Sequence, residues 1–199
     1  MTIVINEFDG FRVEVDNENN RGDIILSRPP LNVIQYSQRI QMAEAMKDLD
    51  KNENVRVIIL RADGKNFSSG GNIEGFLQET PETLTMLAQN VMTPEKIRKP
   101  VIAAIQGYCF GVGLEFSLAC DFRIVTKCSR LSLPEMKIGM IPGSGGSVPP
   151  LAPPAQSEII ASSKSRVWKP TLSKAALENS AGPEFRVKPY TAPRHSAFQ

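Results

Sequence analysis

Histidine is almost missing from this chain of 199 residues: the one present, His195, lies four residues from the end. A Ser-His-Asp or Cys-His site, an HExxH zinc site and a two-histidine iron site all need imidazoles that residues 1–146 do not contain. Cysteine is scarce too. Cys109, Cys120 and Cys128 are odd in number and show no CxxC spacing, so neither a disulfide framework nor a zinc knuckle is indicated, and all three are expected as reduced core residues. Charge of one sign is also lacking. With 23 basic against 21 acidic side chains, the net charge of +2 gives no footprint for a nucleic-acid partner. No apolar run approaches the roughly 20 residues of a membrane span, and the start MTIVINEFDG lacks the shape of a secretion signal. No internal repeat is visible. A cytoplasmic protein without membrane contact is expected, and any catalysis in it falls to carboxylates, lysines, hydroxyls or the backbone.

What is present is a regular alternation. Val4 to Glu7, Phe11 to Val15 and Asp23 to Ser27 read as short strands separated by Asp, Asn and Gly. Tyr36, Ile40, Ala43, Met46 and Leu49 then recur every three or four residues, which predicts one apolar face of a helix ending near Asp50. The nearly continuous run Val55 to Leu60 predicts a strand buried on both sides. Thr80 is placed to cap a second helix with Pro81 at its first position and Leu84, Leu87, Ala88 and Val91 inward. Val101 to Ile105 reads as another buried strand, followed by a glycine-rich segment and a short apolar helix to about Cys120. Two more strands, Asp121 to Thr126 and Arg130 to Leu133, complete an α/β pattern.

From Ser147 the texture breaks. Residues 147–199 hold eight of the fifteen prolines and no persistent apolar period. Each proline removes a backbone donor and fixes φ, so the tail is expected to be largely disordered. The chain therefore divides into residues 1–146 and a proline-rich tail, 147–199.

Three segments carry candidate chemistry. In Asn66 to Ile73, the pair Gly70-Gly71 lets the backbone approach a ligand, either as a plain loop or as an anion-facing donor. Gly107 to Glu115 joins a strand to a helix whose first N–H groups are unsatisfied, with a spacing that matches neither GxGxxG nor GxxxxGK[ST]. Within it, Glu115 stands among Val112, Leu114, Phe116 and Leu118, which implies either a structural salt bridge or a catalytic carboxylate. Glu135, after Pro134 at a strand end, is a surface turn residue or a second carboxylate able to share a water with the first. Gly143 to Gly146 is a further ligand-facing loop or the linker into the tail.

In this order and spacing, these segments resemble the crotonase superfamily, the enoyl-CoA hydratases and isomerases. The resemblance runs from about Asp23 to Gly146 and includes Arg28-Pro29-Pro30-Leu31-Asn32, Phe67 to Ile73, Pro100 to Gly107, Gly111 to Asp121, and Pro134-Glu135 through Gly143. It implies a spiral of ββα units, assembled as a homotrimer or hexamer, that binds an acyl-CoA thioester. Carried over residue by residue, it places the oxyanion-hole N–H groups at Gly71 and Val112, the catalytic pair at Glu115 and Glu135, and substrate or CoA contacts at Arg28, Leu31, Ser69, Gly70, Asn72 and Ile73. The implied reaction is hydration of a trans-2-enoyl-CoA to a 3-hydroxyacyl-CoA, with no metal and no redox cofactor.

Val112 stands where the family usually has glycine, and its branched side chain is expected to crowd the acyl pocket. Asn72 stands where Asp is common. Nothing after Ser147 resembles the family's C-terminal helices, and such an abrupt change is what a shifted reading frame produces. The alternatives implied are a truncated, non-catalytic crotonase-like protein, or an isomerase, thioester hydrolase or C–C hydrolase on the same site.

Overall fold

In the computed structural model, residues 2–77, 79–80, 82–83, 86–146 and 159–162 are described. Strands β1 (Thr2–Phe8), β2 (Phe11–Asp16) and β3 (Arg21–Leu26) form an antiparallel meander. After it the chain crosses over repeatedly. β4 (Val57–Ala62), β5 (Val101–Ile105), β7 (Phe122–Thr126) and β9 (Ile159–Ser162) add in parallel to give one seven-stranded sheet, β1-β2-β3-β4-β5-β7-β9. The crossovers carry α1 (Tyr36–Lys51), α2 (Leu87–Val91), α3 (Thr93–Lys96) and α4 (Val112–Ala119).

Each crossover also contributes a short extended piece to a second row of parallel pairings. Ile34 bridges Gly71, Ser68 bridges Cys109, and β6 (Tyr108–Phe110) pairs with β8 (Arg130–Ser132). A strand in the large sheet, a piece in the second row and then a helix or turn, repeated around one axis, is the spiral of ββα units expected above. Its core lies between the sheet and the helices and includes Ile24, Met42, Met46, Ile58, Leu60 and Val91. Each such side chain contributes about 1.5–3 kcal/mol when fully buried. No helix among the described residues is long and apolar enough to cross a membrane.

Most predicted elements appear within two residues of their expected limits, with informative differences. On α1, Ile40 is 44% exposed and the inward stripe instead runs through Tyr36, Arg39, Met42, Ala43, Met46 and Leu49. Arg39 takes the place expected of an apolar residue. Cys109 and Cys120 are buried as expected, whereas Cys128 is exposed because it sits in the turn between β7 and β8. The Thr80 cap is present, its Oγ1 accepting the Thr83 N–H at 3.3 Å; Pro81 and Leu84 lie outside the described residues. In the tail only Ile159–Ser162 is described, a β-branched, proline-free stretch that pairs with β7; the expected disorder of the remainder falls outside the described residues.

Strand β6 was not anticipated by periodicity, and two glycines make it possible. Gly107 (φ +60°) turns the chain out of β5, and a Cβ there would collide with the Lys65 carbonyl and lie 2.5 Å from Asn66 Oδ1. Gly107→Ala is therefore expected to destabilise the protein by at least about 2 kcal/mol in urea unfolding. A loss under about 0.5 kcal/mol would show that this turn is not rigid.

Candidate active site

The backbone donors come from two loops held side by side. In the first, the Ile34 N–H donates to Gly70 O at 2.9 Å and the Asn72 N–H to Ile34 O at 3.1 Å. The bridged residue between them, Gly71, then has its own N–H turned away from that partner. Buried Ser68 fixes this loop, its Oγ donating to Asn32 O at 2.8 Å and accepting from the Gly70 N–H at 3.1 Å. In the second loop, Gly111 adopts φ 51°, ψ −130° between β6 and α4, which makes Val112 the first residue of the helix. Its N–H is one of the four that a helix cannot satisfy internally. Neither the Gly71 nor the Val112 N–H has an acceptor among the described residues. The loops touch: a Cβ on Gly71 would lie 3.6 Å from Val112 Cγ1, and one on Gly111 would lie 3.6 Å from Gly70 Cα.

Both glutamates face the same space. Glu115, on α4, is 4% exposed, and no cation lies within ion-pair distance of it among the described residues. Its Oε1 instead accepts the Ser144 and Gly146 N–H groups, each at 2.9 Å. The salt-bridge alternative is thereby replaced, and the Gly143 to Gly146 segment faces the site rather than serving only as a linker. Glu135 sits in the turn of 3₁₀ helix Pro134–Ile138, with Oε2 buried and without a partner among the described residues. Burial raises its pKa above the ordinary carboxylate value; its own backbone N–H opposes this, and the charge of Glu115 adds to it.

A raised carboxyl pKa means that the folded protein holds a proton that the unfolded chain has already released. Stability therefore falls as pH rises above about 4.3, the unfolded glutamate value, toward the folded one. Glu135→Gln removes that penalty. The variant is expected to melt at a higher temperature than the wild type at pH 7 and at the same temperature near pH 4. Equal melting temperatures across the range would show that Glu135 is not desolvated.

These groups surround a cavity of about 390 Å³ whose wall includes Ser69, Gly70, Gly71, Ile73, Val112, Glu115 and Glu135. Ile138 and Ile141, both exposed, form an apolar margin on it. Three expected contact residues are not part of that wall. Arg28 pairs with Asp9 at 2.5 Å, Leu31 is exposed while its carbonyl accepts the Ser69 N–H at 2.8 Å, and Asn72 bonds Gln35 Oε1 at 2.8 Å. Ser144 belongs to the Gly143 to Gly146 segment expected as a ligand-facing loop or linker, whereas Arg39, also in the cavity wall, was not legible as a site residue in the sequence. The position of Arg39 on the α1 stripe, three residues after Tyr36 and four before Ala43, was the available signal.

Residues 16–150 match the family model for enoyl-CoA hydratase/isomerase. A probable enoyl-CoA hydratase of Bacillus subtilis is 33% identical over 129 residues, which cover 62% of this chain and 50% of that protein. A peroxisomal fatty acid beta-oxidation multifunctional protein of Arabidopsis thaliana is 34% identical over 146 residues, 69% of this chain and 20% of that one. The crystal structure of an enoyl-CoA hydratase from Thermoplasma volcanium superposes with a TM-score of 0.61 at 33% identity, covering 68% of this chain and 56% of that structure. The chain thus spans a fifth to about a half of the length of these relatives.

Proposed function

The chain belongs to the enoyl-CoA hydratase/isomerase family, and from that premise we propose that it hydrates a trans-2-enoyl-CoA to the 3-hydroxyacyl-CoA. The observation that carries this reading is that Glu115 and Glu135 face one cavity together with the unengaged N–H groups of Gly71 and Val112.

The thioester carbonyl is proposed to accept from those two N–H groups, which sets the α and β carbons between the carboxylates. Glu115, with Oε1 held by two backbone N–H groups, presents its other oxygen to a water. As that water's oxygen bonds to the β-carbon, Glu115 takes its proton and Glu135 gives one to the α-carbon. The C2=C3 π bond is consumed, and negative charge developing on the thioester oxygen falls where the two N–H groups point. The raised pKa of Glu135 suits the donor role, because it keeps a proton available there at higher pH. A homotrimeric or hexameric assembly, a cytoplasmic location and independence from metal and redox cofactors belong to the same proposal.

Purified full-length protein is expected to consume crotonyl-CoA, seen as loss of the conjugated thioester absorbance, and to form 3-hydroxybutyryl-CoA. Release of free CoA would favour thioester hydrolysis instead. Absence of any reaction under conditions where the protein is folded and binds CoA thioesters would favour the non-catalytic alternative.

A further inference from the structure

Arg39 is a charged, buried residue of this cavity wall that hydration of a plain alkyl chain does not use. It is 2% exposed and stands on the inward stripe of α1, where an apolar residue would complete the core without the desolvation cost of a buried charge. What the protein gives it in return is slight. Among the described residues, Nη1 donates to Ser144 Oγ at 3.3 Å, and the Tyr36 ring centroid lies 4.8 Å from Cζ. Among the same residues no carboxylate comes within ion-pair distance, and Nε, buried, has no partner. Glu115, the carboxylate whose charge bears most on it, already has one oxygen held by two backbone N–H groups.

A guanidinium carries five N–H donors in a planar fork that matches the two oxygens of a carboxylate. Here, among the described residues, most of that fork is open, its charge is buried without an ion pair, and it forms part of the cavity wall. Its place is also defined relative to the reacting end of a substrate, since Nη2 lies 2.6 Å from where a Cβ on Gly71 would stand. In the reading proposed above, Gly71 holds the thioester oxygen. A chain that reaches Arg39 from that point is short. Val112 narrows the same region, with its Cγ1 beside Gly71, which disfavours a long alkyl chain.

We infer that Arg39 binds a carboxylate at the far end of the acyl chain, so that the substrate is the CoA thioester of a short unsaturated dicarboxylic acid. The inference rests on the hydratase reading for its chemistry, but recognition by Arg39 can be measured apart from turnover.

The test compares crotonyl-CoA with glutaconyl-CoA, which carries the same conjugated thioester and a terminal carboxylate. Wild-type full-length protein is expected to favour glutaconyl-CoA in kcat/KM by about tenfold or more. Arg39→Leu, which restores an apolar stripe, is expected to reverse the preference, and Arg39→Lys, which keeps the charge without the fork, to fall between. A wild-type preference for crotonyl-CoA, or a ratio that Arg39→Leu leaves unchanged, would overturn the assignment while leaving hydration standing. Binding of the unreactive thioesters glutaryl-CoA and butyryl-CoA by calorimetry separates the two readings. If neither enoyl thioester reacts but glutaryl-CoA binds about tenfold tighter than butyryl-CoA, and only with Arg39 present, then carboxylate recognition stands and hydration falls. Equal binding of the two by the wild type overturns the role of Arg39.

Discussion

Replacing Val112 by proline is expected to lower kcat for enoyl-thioester hydration about 100- to 1,000-fold, the usual effect of removing one oxyanion-hole donor, with little change in melting temperature. The substitution deletes a single N–H, and at this position the fold does not need it. Val112 is the first residue of α4, where the backbone N–H has no intrahelical acceptor and the helical φ is already close to that of proline. The residue before a proline must avoid the helical region, and Gly111 does so at φ 51°, ψ −130°. No hydrogen bond among the described residues is lost. Val112→Ala separates the side chain from the N–H: it keeps the donor and removes the methyl beside Gly71, so its effect is expected on the choice of acyl group more than on kcat. A Val112→Pro protein with wild-type kcat would mean that the thioester oxygen is held elsewhere.

The helix and strand pattern was readable because it is local. The 3.6-residue recurrence of Tyr36, Ala43, Met46 and Leu49 and the continuous run from Val101 to Ile105 report burial directly. Gly71, Val112, Glu115 and Glu135 were legible only as members of ordered segments separated by up to some sixty residues, and it is the second row of pairings that brings their loops together. The missed features are those that depend on a distant partner. Strand β6 is three residues long between Gly107 and Gly111, and its extended form is set by pairing with Arg130–Ser132 and with Ser68. The two N–H groups that hold Glu115 come from residues 29 and 31 positions further along the chain. Arg39 was hidden differently. A cation at an apolar period reads as an interruption of the stripe, and the neighbouring Ile40 offered itself as the inward residue, although it is Arg39 that the cavity takes.

Glu115→Gln and Glu135→Gln are each expected to reduce hydration by about 100- to 10,000-fold, the range for a positioned general acid or base, and the double variant to be only a few-fold slower than the worse single one. The reason for non-additivity is that both carboxylates act on one event, the addition of a single water across one double bond. Once either proton transfer is lost, the other group has no step left to accelerate. Glutamine suits this test because its side-chain carbonyl can still accept the Ser144 and Gly146 N–H groups, so the loop over Glu115 keeps its anchor. Glu115→Ala would instead leave those buried donors unpaired, at about 1–3 kcal/mol each, and would confuse catalysis with stability. The measurement is kcat for all four proteins on the same enoyl thioester, with urea unfolding as the stability control. Losses that multiply in the double variant would show that the two glutamates act in independent steps, and would overturn the shared-water mechanism; a large loss at one glutamate with little at the other would point instead to a single glutamate moving both protons.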